Sequence, residues 1–244
     1  MSRLAKQPHG CTDNLVSCYL SGETLRSRRV GEVVLSGRLD VPAPPARLVA
    51  DWQREITQRL GLEPGDVEAL SLPRARMRWP AYRQILQAIT LWTQTLGWDD
   101  VLATSDQALM ACRGARYHHD GTQYGGAAFC NLFLCDTPNL DLHFPALGLH
   151  IPLARGTVVI FDTSQPHGVI DRRRDGFDAA DFPSGWDCTQ VFLTWELPIE
   201  NVNLAQALGV VFDHEGADPA KPAQPQVWVN GKQASVCPDT GRWM

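Results

Sequence analysis

Residues 156–169 read GTVVIFDTSQPHGV. A glycine opens a short run of β-branched and aromatic residues, and a polar turn containing proline closes it, so the run reads as a buried strand. A second apolar run, HGVIDR, starts at His167. Outward from this stretch the same texture covers about 100–197. QALMACRGARYH, AAFCNLFLC, LDLHF, LGLHIPL and QVFLTWEL alternate with turn residues. Short strands at such even spacing predict an antiparallel barrel or jelly roll.

The flanks differ. GEVVLSG at 31–37 is the best early strand, and the proline-rich VPAPPA at 41–46 leads into a helix over 46–60 that stops at Gly61. Leu48, Val49, Trp52, Ile56 and Leu60 recur at helical spacing in it. A second helix spans 80–97, with Ile85, Ile89, Trp92 and Leu96 as its stripe. Both stripes read as core packing rather than cofactor contacts. Residues 215–226, EGADPAKPAQPQ, form a linker, and Asn230-Gly231 in VWVNGKQASV is a hairpin signal. The expected fold class is α+β, mainly β: a double-stranded β-helix (jelly roll) core with flanking N-terminal helices. One domain over 1–244 is expected, with supporting elements in 1–100, the core in 101–200 and a hairpin-bearing extension in 201–244.

Composition narrows the function. The chain has 244 residues, 44% hydrophobic and 20% charged, which suits a globular protein with a sizeable core. A net charge of −5 argues against a dedicated nucleic-acid binder or an anionic-membrane binder. Among the cations only Lys6, Lys221 and Lys232 are lysines, so anionic ligands would be met by arginine. Seven cysteines without a CxxC pair point to reduced thiols. There is no apolar segment of membrane-spanning length, and the N-terminal basic residues are not followed by an apolar stretch. The expectation is a cytoplasmic protein.

Two polar clusters interrupt the apolar strands: RYHHD at 116–120 and the His167 segment. On an extended strand His118 and Asp120 would share a face. His167 follows His118 by 49 residues, room for several strands to return it to the first pair. Two imidazoles and a carboxylate can occupy one face of an octahedral metal and leave three positions open, a set suited to Fe(II) and oxygen. Hydrogen-bonded structural roles would account for each residue singly but not for the conjunction. His119 is the rival within the triplet; side-chain alternation favours His118. His143 and His150, in LDLHF and LGLHI, read as core or cavity-wall residues, and His9 and His214 carry no signal.

HHD at 118–120 followed by GTVVIFDTSQPHGV resembles the HxD…H signature of the Fe(II)/2-oxoglutarate dioxygenases, over roughly residues 110–197. The resemblance implies an oxidoreductase with His118, Asp120 and His167 as metal ligands, Fe(II) as cofactor, and 2-oxoglutarate and O₂ as cosubstrates. It implies oxidation of a small-molecule or amino-acid-like substrate, hydroxylation by default, as the keto acid is decarboxylated to succinate. Family members anchor the far carboxylate of the keto acid with Arg or Lys, often on the strand after the distal histidine. Here that strand, QVFLTWEL, contains no basic residue. The candidates are Arg172 and Arg173, then Arg116, which shares a strand face with His118, and last Arg155. Arg174 completes the run, for which a solvated turn is the plainer reading. Tyr117, Tyr124 and Asn131 would add hydrogen bonds to the keto acid, and Gly125-Gly126 reads as a turn. Two alternatives stand beside this reading: an Fe(II) oxygenase that uses no keto acid, and a cupin-like metal-binding protein or isomerase in which His143 or His150 would matter.

Overall fold

The computed structural model describes residues 14–136, 139–183, 188–212 and 224–244. Most of the 215–226 linker, His9, His214 and Cys11 lie outside them.

The centre of the fold is eight consecutive strands: β5 (Asp106–Arg113), β6 (Ala115–His118), β7 (Ala127–Phe133), β8 (Leu140–Phe144), β9 (Leu149–Pro152), β10 (Thr157–Asp162), β11 (His167–Asp171) and β12 (Thr189–Pro198). They alternate between two antiparallel sheets, ordered β5-β12-β7-β10 and β6-β11-β8-β9, except that β8 and β9 form a hairpin within the smaller one. This alternation is the double-stranded β-helix the strand spacing predicted. The expected QALMACRGARYH segment is two strands, not one. Gly114, at φ +61°, turns the chain from one sheet to the other, and a side chain there would collide with the Phe182 ring.

The larger sheet is extended at its edges by β3 (Leu35–Arg38) beside β10 and β4 (Val67–Leu70) beside β5. The pleat of β10 divides its apolar side chains between two cores. Val158 and Ile160 face the helices, whereas Val159 and Phe161 face the smaller sheet. All four are fully buried, each contributing roughly 1.5–3 kcal/mol of hydrophobic free energy. A strand buried on both faces is why GTVVIF reads as a continuous apolar run rather than an alternating one.

Helix α1 (Ala46–Arg54) continues through a π-helical turn, Glu55–Leu60, and ends at Gly61 in the left-handed conformation. Leu48, Trp52 and Ile56 pack with Ile85 and Ile89 of α3 (Tyr82–Thr95) on the outer face of the larger sheet. Both helices were legible. The intervening α2 (Leu72–Arg78), the four-residue α4 (Gly121–Tyr124) and α5 (Val202–Leu208) were not.

A third sheet joins the ends of the chain. The hairpin of β1 (Leu15–Ser21) and β2 (Thr24–Arg29) receives β14 (Gln226–Val229) alongside β1 and β13 (Val211–Phe212) alongside β2. Asn230 and Gly231, both at positive φ, turn β14 into β15 (Lys232–Gln233), the hairpin the Asn-Gly pair announced. No helix among the described residues is long and apolar enough to cross a membrane.

Candidate metal centre

Strand β6 pairs with β11 so that His118 lies opposite His167, with a bulge immediately after His167. Their rings stand 4.5 Å apart. Asp120 reaches them differently from the sequence expectation. Strand β6 ends at His118, and Asp120 (φ −99°, ψ 2°) begins α4. A turn, not the pleat of one extended strand, therefore brings the carboxylate round to the imidazoles. The Asp120 side chain makes no capping hydrogen bond, so it stays free for another partner, while its amide donates to the Thr163 carbonyl at 2.8 Å. That bond ties the Asp120 segment to the loop leading into His167.

Both imidazoles are held in the same tautomer. His118 Nδ1 lies 2.7 Å from the Arg116 carbonyl and His167 Nδ1 lies 3.0 Å from the Gln165 carbonyl. A carbonyl oxygen only accepts, so each Nδ1 carries the hydrogen and each Nε2 keeps its lone pair. The Nε2 atoms lie 3.7 Å (His118) and 3.5 Å (His167) from Asp120 Oδ2. Ligand atoms of His118, Asp120 and His167 all fall within 4.8 Å of one another, a grouping sized for one ion. Burial, then the neighbouring His118, holds the His167 pKa well below the imidazole range, keeping it in the neutral form a metal requires. Burial raises the Asp120 carboxyl, partly offset by His118.

His119 turns away. Its ring lies against Trp243, at 5.6 Å, and burial lowers its pKa. His143 and His150 also stand apart, stacked at 3.9 Å across β8 and β9. Tyr117 hydrogen-bonds His143 Nδ1, so the candidate keto-acid contact at Tyr117 instead serves the smaller sheet.

The arginines expected near the distal histidine are likewise engaged elsewhere. Arg172 Nε donates to Asp141 at 2.6 Å, and Arg173 makes a two-point pair with Asp171. Arg116 lies over the Phe177 ring at 5.1 Å, with Asp239 3.7 Å away. Arg155 reaches Asp136 and Arg174 reaches Asp181. Each arginine found a carboxylate or a ring close by, and that local pairing keeps it out of the barrel.

Between the two sheets, a cavity of about 230 Å³ opens onto His118, Asp120 and His167. Its far wall is the inward face of the larger sheet: Ala108 and Met110 from β5, Asn131 from β7, Thr194 and Glu196 from β12. Tyr124, on α4, stands at the metal end. None of the five arginine candidates, nor Tyr117, lines it; Tyr124 and Asn131 do. Thr194 and Glu196 were readable but overlooked: in QVFLTWEL the positions alternating with the buried Val191, Leu193 and Trp195 must face inward.

No protein-family model matches the chain, and no curated protein matches it. Among solved structures it is similar to the viral collagen prolyl hydroxylase of Paramecium Bursaria Chlorella virus-1 in complex with 2OG. Identity is 12%, over 67% of this chain and 94% of that one, at a TM-score of 0.38. A Pseudomonas putida prolyl-4-hydroxylase matches at 17% identity, over 67% and 91% of the two chains, with a TM-score of 0.37. The alpha ketoglutarate dependent epimerase SnoN from nogalamycin biosynthesis matches at 14% identity, over 79% and 89%, with a TM-score of 0.33. With TM-scores below 0.5, the functional reading is left to the side chains of the site.

Proposed function

We propose that this chain is a non-haem Fe(II) oxygenase of the 2-oxoglutarate-dependent kind, with its metal held by His118, Asp120 and His167. The observation that supports it most is the convergence of two neutral Nε2 atoms and one uncapped carboxylate at the mouth of a cavity inside a jelly roll. These three residues would hold Fe(II), and their small number would leave it positions for a cosubstrate and O₂. When bound, Fe(II) with 2-oxoglutarate and O₂ supplies the oxidation of a substrate C–H bond, the keto acid leaving as succinate and CO₂. The chain fixes the imidazole tautomers through the Arg116 and Gln165 carbonyls and lines the reaction space with apolar walls that limit water. Tyr124, which lines the cavity, offers the keto acid a neutral hydrogen-bonding group. A small-molecule or amino-acid-like substrate suits the cavity volume. The pairing of β1 with β14 supports reading the chain as one domain, and the buried free thiols of Cys18, Cys112 and Cys130 support a cytoplasmic setting.

A second reading is favoured by one observation: among the described residues no arginine or lysine lines the cavity. An Fe(II) oxygenase that takes its electrons without a keto acid would need none. The cupin-like alternative has less support, because His143 and His150 do not line the cavity. Anaerobic titration of Fe(II)-loaded protein with 2-oxoglutarate separates the readings. A metal-to-ligand charge-transfer band supports the keto-acid enzyme; iron binding without the band supports the second reading.

A further inference from the structure

Glu196 is the one carboxylate that shares the cavity with Asp120, and nothing among the described residues pairs with it. Its side chain is half-buried on the inward face of β12, with neither a hydrogen bond nor an ion pair. A partly dry carboxylate without a cation is costly, and the protein elsewhere avoids that arrangement: Asp141, Asp162 and Asp171 each have an arginine. On β7, directly opposite Thr194, Asn131 is only 7% exposed, and its Oδ1 is buried without a partner. Thr194 Oγ1 is likewise unpaired. The wall therefore offers three groups able to accept hydrogen bonds, one of them anionic, and no cation among the described residues.

We infer that Glu196 is a specificity-determining residue that receives a cationic group of the substrate, an ammonium or guanidinium, with Asn131 and Thr194 accepting further N–H bonds from it. The inference rests on the oxygenase reading, since it places the bound cation in the cavity that opens onto the proposed metal. The electrostatics agree with the geometry. Burial and the Asp106 charge raise the Glu196 carboxyl, which an incoming cation would relieve. The Tyr124 phenol is raised by burial and then by both Glu196 and Asp120, so the two carboxylates flank it across one end of the cavity. A charged N–H to carboxylate contact is among the stronger hydrogen bonds, and its loss weakens binding by about tenfold or more.

The test uses full-length protein loaded with Zn(II), which occupies the site without oxygen chemistry. Binding of n-butylammonium and of n-butyrate is followed by ligand-observed NMR in wild type, Glu196→Gln and Glu196→Asp. Glu196→Gln should weaken n-butylammonium binding by about tenfold or more while n-butyrate binds no more weakly than to wild type; Glu196→Asp should retain part of the preference. Equal n-butylammonium affinity in wild type and Glu196→Gln, or no n-butylammonium binding by wild type, would overturn the assignment. Zn(II) stoichiometry measured on the same samples keeps the two readings apart: failure of wild type to bind metal sinks the oxygenase, not the cation contact.

Discussion

His118 stands directly across the β6–β11 ladder from His167, the rings 4.5 Å apart and both Nδ1 atoms tied to backbone carbonyls. Because the carbonyls belong to residues two positions earlier in each chain segment, the orientation of each imidazole is set by its own strand. The two imidazoles are thereby oriented by the backbone alone.

The support beneath the site is a buried ion pair. Arg28 and Asp162 are both fully buried. Arg28 also donates to the Gly125 carbonyl at 2.9 Å, and Asp162 accepts from the Gly31 and Ser164 amides. The pair links the end of α4, the loop before His167 and the β1–β2 hairpin. Removing one partner strands a buried charge, so Arg28→Met should destabilise by about 3–5 kcal/mol. Denaturant unfolding would measure it; a loss under about 1 kcal/mol would contradict the role.

Acid stability offers a separate check. The Arg173 hydrogen bonds draw the Asp171 pKa down to about 2. A depressed carboxylate stabilises the fold above its unfolded pKa, near 4, and that stability fades as pH falls through about 2. Arg173 is largely exposed, so solvent screening limits the effect. Asp171→Asn should cost about 1 kcal/mol at pH 7, and the deficit should vanish by about pH 2 in paired unfolding curves. A deficit that persists at low pH would point to packing instead.

The engaged arginines give a third prediction. Arg172→Met, Arg173→Met and Arg116→Met should each leave 2-oxoglutarate affinity within about twofold of wild type, because their guanidinium groups meet Asp141, Asp171 and Phe177 outside the cavity. A loss of about tenfold in any of them, measured with Fe(II) present, would return that arginine to the site.

Much of this was legible because the period-2 signal is local. β7, β8, β10 and β12 each matched an apolar run, Gly61 marked the end of the first helix, and Asn230-Gly231 marked the β14–β15 turn. What stayed hidden is non-local. Nothing in TLRSRR says that Arg28 faces Asp162 across 134 positions, or that β14 closes on β1. The surroundings of the candidate arginines were hidden for the same reason: proximity in sequence to His167 said nothing of Asp141 and Asp171, which pair with Arg172 and Arg173. Glu196 is the opposite case, readable by alternation yet passed over in a search for positive charge.

In the proposed site His118, and not its neighbour His119, joins Asp120 and His167 around the metal. Calorimetric titration with Fe(II) under anaerobic conditions, run on wild type and on His118→Ala, His119→Ala, Asp120→Ala and His167→Ala, tests it most directly. Wild type should bind about one ion per chain and His119→Ala should keep most of that affinity, while each of the other three should lose it. Loss in His119→Ala with retention in His118→Ala would reverse the ligand assignment, and unchanged binding in all four variants would remove the site.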